Sequence, residues 1–208
     1  MNWFWNSRII TPVLFVLCVL LVQQNVRSAE SFELQDGDRV VFLGDALVEQ
    51  EQYAGWIELM MTAAFPERDV TFRNLGWSAD TPSGKSRFGL SLLPAGRAPA
   101  GEGWRQLVKQ LKFTQPTVIV FGYGMASALD SGMEGVAAFT QDYQRLVDTA
   151  KQMQPDLRCV LLSPLGRRAD QSRTIQTDAS VLTAYRKAVN QVADNNDGVF
   201  VDLSDVAI

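Results

Sequence analysis

The chain has 208 residues, a formal net charge of −4, two cysteines and no histidine. That length supports one domain with a sizeable core. An acidic balance with no basic run argues against nucleic acid or anionic lipid as partner, and no imidazole is present among these residues to act as a base.

In chain order, Arg8 precedes a 14-residue run, Ile9–Val22, that is apolar except for Thr11. A run of that length is shorter than the roughly 20 residues of an ordinary membrane span and reads as the apolar core of a signal peptide. Val26-Arg27-Ser28 puts a small residue directly before Ala29. Residues 1–28 are therefore read as a cleavable signal peptide and 29–208 as one exported domain, periplasmic or secreted and free of the membrane after cleavage. Removing Arg8 and Arg27, with no acid in that segment, takes the net charge from −4 to −6. Cys18 falls inside the apolar run behind bulky Leu17, which does not suit a lipoprotein site. Only Cys159 remains, so no internal disulfide is expected.

Val40-Val41-Phe42-Leu43 is an apolar, partly β-branched run ending in the turn Gly44-Asp45, the pattern of a buried parallel strand feeding a helix. Tyr53, Trp56, Ile57, Met60, Met61 and Ala64 then recur at helical spacing up to Pro66, predicting one helix with an apolar face. Val70–Leu75 reads as the second strand. Gly76–Gly103 is a long Gly/Pro/Ser-rich passage of the kind that carries function. Trp104, Leu107, Val108 and Leu111 mark a helix, and Thr117–Phe121 a third strand. Val136, Phe139, Tyr143, Leu146, Val147 and Ala150 mark another helix, and Arg158–Ser163 a fourth strand. Val181, Tyr185, Ala188, Val189 and Val192 mark the last helix, and Gly198–Asp202 a fifth strand. Five apolar strands alternating with helices predict an α/β fold: a three-layer α/β/α sandwich on a five-stranded, parallel, doubly wound, flavodoxin-like sheet.

Three loops carry a resemblance. Gly44-Asp45-Ala46-Leu47 is similar to the first conserved block of the GDSL, or SGNH, hydrolases, Gly-Asp-Ser-Leu. Asn74-Leu75-Gly76-Trp77-Ser78-Ala79-Asp80-Thr81 resembles the second, Asn-x-x-x-x-Gly-Asp-Thr. Gly124-Met125-Ala126-Ser127 resembles the third, Gly-x-Asn-Asp. The motif residues Gly44, Asp45, Asn74, Gly76, Asp80, Thr81 and Gly124, with Tyr123 beside them, resemble exported planctomycete-type variants of that family. The resemblance covers nearly all of residues 29–208 and implies an SGNH-type fold with an ester-hydrolase ancestry.

It also implies which atoms are missing. The nucleophile position is Ala46, and two oxyanion positions are Ala79 and Ala126. The family's Asp-x-x-His block, expected after strand five, has no counterpart before Ile208. Hydrolysis of this type needs a nucleophile, a base and aimed donors, so the resemblance implies a catalytically degenerate protein, a pseudoenzyme. A domain short at its C-terminus and lacking the last helix is also expected, with marginal stability. Candidate ligand-cleft residues are Trp77, Ser78, Tyr123 and Ser127, with Trp104 a further aromatic face, and the expected ligand is a carbohydrate or an ester-bearing small molecule. The rival readings are an active ester hydrolase or deacetylase using replacement residues such as Ser78 or Ser127, and a decayed remnant. No cofactor is implied, and Asp45, Glu49 and Asp80 show no metal-ligand spacing. Gly122-x-Gly124-x-x-Ser127 departs from a dinucleotide fingerprint, and Arg167, Arg168 and Arg173 read as a solvated loop. No oligomeric state is readable.

Overall fold

A computed structural model of the protein describes residues 32–87, 101–166 and 178–205. The signal-peptide reading, the middle of the Gly/Pro/Ser-rich passage, the loop arginines and the last three residues lie outside them. The elements run β1 (Arg39–Gly44), α1 (Ala46–Ala54), α2 (Trp56–Ala64), β2 (Thr71–Asn74), α3 (Glu102–Thr114), β3 (Val118–Gly122), α4 (Met125–Ser131), a 3-10 turn (Gly132–Gly135), α5 (Val136–Met153), β4 (Arg158–Leu162), α6 (Ala179–Asn195) and β5 (Val199–Val201). The five strands form one parallel sheet in the order β2-β1-β3-β4-β5. This is the predicted doubly wound α/β architecture.

Alternation along the strands divides the sheet into two apolar faces. Val41, Leu43, Ile119, Phe121, Cys159 and Leu161 share one core with Leu107 and Leu111 of α3. The α5 side chains Phe139, Tyr143, Leu146, Val147 and Ala150 and the α6 side chains Tyr185, Val189 and Val192 complete it. Tyr143 sits edge-on to Phe121, Tyr123 and Phe139 at 5.4–5.8 Å between centroids, a preferred aromatic geometry. The opposite face presents Val40, Phe42, Val118, Val120, Val160 and Leu162, also buried, and α1 lies against β1 and β2 outside the main core.

The first helix departs from expectation. Gly55 adopts φ 64°, ends α1 by donating its N–H to the Glu51 carbonyl (2.7 Å), and leaves α2 to start afresh. The Glu51 carboxylate then accepts from Ile57 N–H at 2.5 Å, covering an N–H of the new helix. The predicted stripe consequently does not face the core: Tyr53 is 76% exposed and Trp56 63%, and no α2 residue is buried. Periodicity is indifferent to a left-handed glycine in mid-pattern, which is why one helix was expected. Two short elements, α4 and the 3-10 turn, carried no periodic signal.

At the amino end of the sheet, Asp38 collects an ion pair from Arg158, the Thr117 hydroxyl (2.7 Å) and the Gln35 N–H (2.6 Å). Burial alone would raise its pKa, but these bonds outweigh it and hold the carboxyl below its ordinary 3.8. A lowered folded pKa means that the stabilisation is present above the unfolded value and is lost as the pH falls through the folded one. Asp38→Asn is therefore expected to cost about 1–3 kcal/mol at neutral pH. Urea unfolding should show the difference from the parent shrinking as pH falls from 3.8 downward; a pH-independent difference would contradict the assignment.

Candidate functional site

In a sheet of this order the ligand crevice lies outside the carboxyl ends of the strands where the winding reverses, here between β1 and β3. A cavity of about 760 Å³ opens there, lined by Asp45, Ala46, Leu47, Ala79, Thr81, Tyr123, Met125, Ala126 and Leu129 among others, and closed by Ser163, Pro164 and Leu165 after β4. All three loops singled out in the sequence reach it, and most of its surface is apolar.

Each motif residue is held by a definable contact. Asp45 caps α1, its carboxylate accepting from Leu47 N–H (3.4 Å) and, across the cleft floor, from Ala126 N–H (3.1 Å). Asn74 staples the β2 loop to α1: its amide donates to the Val48 carbonyl and its oxygen accepts from Gly76 N–H, each at 2.7 Å. Gly76 has to be glycine, because a Cβ there would collide with the Val48–Glu49 backbone. Thr81 bonds Ser83 at 2.9 Å. Gly124, at φ 137°, turns the chain into α4.

Asp80, wholly buried, anchors a charged network that the sequence did not reveal. Its carboxylate takes Arg87 Nε at 2.6 Å and the Tyr123 hydroxyl at 3.1 Å. The same guanidinium donates to Gln110 Oε1 and to the Leu75 carbonyl, each at 2.6 Å. One arginine thereby ties the β2 loop, α3 and β3 together behind the cavity wall. At the mouth, Lys85 pairs with Asp130 at 2.7 Å, joining the β2 loop to α4.

The cleft floor retains two backbone donors. Ala46 opens α1, and Ala79 holds the left-handed conformation at φ 58°, which costs an alanine about 1 kcal/mol and a glycine nothing. Both residues line the cavity, and neither N–H has a hydrogen-bond acceptor among the described residues. The floor has no side-chain nucleophile: Ala46 and Ala126 end at Cβ.

Of the candidate cleft residues, Tyr123 lines the cavity but is 1% exposed, with its hydroxyl committed to Asp80. Trp77 is 40% exposed and is not on the lining. Ser78 lies off the cavity as well, and its hydroxyl donates to Glu49. Ser127 is buried on α4, outside the lining. The Trp104 ring is covered by the Arg145 guanidinium at 4.0 Å. Two serines that the sequence did not single out, Ser86 and Ser163, do line the cavity. Ser163 is bound structurally, donating to the Pro164 carbonyl (3.0 Å) and accepting from Leu203 N–H (2.7 Å), with Asp202 at 3.3 Å. Ser86 donates to the Ala79 carbonyl at 2.7 Å. Among the described residues no group of three or more His, Cys, Asp or Glu could hold a metal ion.

No protein-family model and no curated protein matches the sequence. Solved structures do match in fold. A lipase/acylhydrolase from Enterococcus faecalis aligns with TM-score 0.58 at 17% identity, over 82% of this chain and 77% of the other. An acetyl xylan esterase from Geobacillus stearothermophilus aligns with TM-score 0.58 at 16% identity, over 84% and 82%. A gut microbial diltiazem-metabolizing enzyme aligns with TM-score 0.54 at 17% identity, over 84% of this chain but only 39% of its own length. At these identities the likeness establishes the fold, that of the GDSL/SGNH-type hydrolases.

Proposed function

We propose that this chain, which has the SGNH-hydrolase fold, is an exported ligand-binding protein that holds a small-molecule ester without hydrolysing it. The observation that carries the reading is Ala46 at the strand-to-helix turn on the cavity floor. A methyl group stands where the fold's chemistry needs a hydroxyl. The Ala46 and Ala79 N–H groups remain available to an ester carbonyl, and the apolar walls suit an acyl or other apolar portion. For a carbohydrate ester, the buried Tyr123 and the covered Trp104 leave the acyl group, rather than the sugar ring, as the part enclosed.

Export rests on the apolar run Ile9–Val22 and the small residue Ser28. A secreted or periplasmic product beginning at Ala29 is expected, and a membrane-held product beginning at Met1 would contradict it. Binding is tested by equilibrium titration of the full chain with a short-chain aryl ester, followed by recovery of the ester. Saturable binding with the ester recovered intact is expected. Stoichiometric or faster release of the phenol would support the rival reading, with Ser163 beside Asp202 as the first residue to substitute.

A further inference from the structure

Asp45 is 3% exposed and lines a cavity whose walls are mostly apolar. The carboxylate accepts from the Leu47 and Ala126 N–H groups, yet among the described residues it forms no ion pair. The neighbouring acid Asp80 has Arg87, and Asp130 has Lys85. A buried carboxylate bounded by dipoles alone, beside a largely apolar cleft, lacks the counter-charge that buried ions normally acquire.

We propose that the cavity binds an apolar amine, its ammonium group pairing with the Asp45 carboxylate and its hydrocarbon body lying against Leu47, Met125, Leu129, Pro164 and Leu165. This rests on the ligand-binding reading above and narrows it: among esters, those of amino alcohols fit, and fatty carboxylates do not. An ammonium brought to Asp45 would meet a buried carboxylate among apolar walls, where opposite charges interact more strongly than at the surface. An added carboxylate would meet the Asp45 charge instead, whereas Asp80 lies off the lining and is already paired with Arg87.

Burial places the Asp45 pKa above its ordinary value, against the bonds from Ala126, Leu47 and Gly124, and the charge of Asp80 adds to the rise. The remaining titratable groups around it are Tyr123 and Tyr143, both pushed well above the ordinary tyrosine value by burial, and Lys85 with Asp130 at the mouth. Asp130 lies below its ordinary value because Lys85 and Ser131 bond it. Ammonium binding through Asp45 therefore weakens as the pH falls through a raised aspartate pKa, whereas binding through Asp130 would persist to lower pH.

The test is isothermal titration of the full chain with octylammonium, 1-octanol and octanoate at several pH values, repeated with Asp45→Asn, which keeps the capping oxygen. Octylammonium is expected to bind about tenfold or more tightly than octanol at neutral pH. That preference should disappear in Asp45→Asn and decline on acidification above the ordinary aspartate range. If the variant does not fold, the pH dependence of the parent protein decides. Equal affinity for all three probes, or preference for octanoate, overturns the amine proposal and leaves the ligand-binding reading standing. A preference surviving in folded Asp45→Asn also overturns it, and no binding by any probe overturns it together with the apolar-cleft reading. Ester turnover would defeat the non-hydrolytic reading while the ammonium preference is scored separately.

Discussion

Arg87→Met is expected to destabilise the domain by about 3–5 kcal/mol, the ordinary cost of removing one partner from a buried ion pair. Arg87 is 3% exposed and Asp80 0%, so water cannot replace the lost guanidinium. The Asp80 carboxylate would keep only the Tyr123 hydroxyl and the weak Ser86 N–H contact at 3.3 Å, and the Gln110 and Leu75 oxygens would lose their donor. Urea unfolding measures the loss. Replacing both charges, as Asp80→Leu with Arg87→Met, should cost clearly less than the two single changes added together, because no uncompensated ion remains. Single variants within about 0.5 kcal/mol of the parent would show that the network does not hold the cavity wall.

The second large effect is one that will not appear. Ala46→Ser places a hydroxyl at the turn to which the sequence resemblance assigns a nucleophile, yet it is expected to leave ester hydrolysis at background. No imidazole exists among the 208 residues to take the proton, and Ala126 has no side-chain amide to offer an oxyanion, its backbone N–H donating to Asp45. In serine hydrolases, loss of nucleophile or base costs on the order of 10⁶ in turnover, and loss of one oxyanion donor about 10²–10³. Asp45, the adjacent acid, already accepts from the Leu47 and Ala126 N–H groups. A rise of about a thousandfold in aryl-ester hydrolysis on Ala46→Ser would show that another group serves as base.

The sheet was legible because its central strands β1, β3 and β4 are short apolar runs buried on both faces, while the edge strands β2 and β5 are only partly buried. The helices α5 and α6 were legible because their apolar spacing matches the face they bury. Every α5 residue picked from the pattern packs in or against the core. The motif loops were legible as sites for a topological reason: strand order alone brings the ends of β1, β2 and β3 to one crevice. Placement within the loops was not legible. Trp77 and Ser78 sit on the right loop but off the lining, since side-chain direction in a turn follows local φ and ψ rather than a period. Arg87 escaped notice because an arginine in a Gly/Ser-rich passage gives no sign of burial until Asp80 and Gln110 are seen to meet it. Ser163 read as the end of a strand, and only the closing of Pro164 over the cleft makes it part of the cavity. The outward stripe of α1 and α2 was misjudged because Gly55 was read as one more helical residue.

The measurement that bears most directly on the non-hydrolytic account is intact-mass analysis of the full chain after exposure to a fluorophosphonate, which reports any activated hydroxyl whatever its position. The account predicts an unmodified mass, because the cavity floor ends in methyl groups and Ser163 and Ser86 are held in structural hydrogen bonds. A stoichiometric adduct that disappears with Ser163→Ala, or with Ser78→Ala or Ser127→Ala, would contradict it and make the protein an ester hydrolase with a relocated nucleophile.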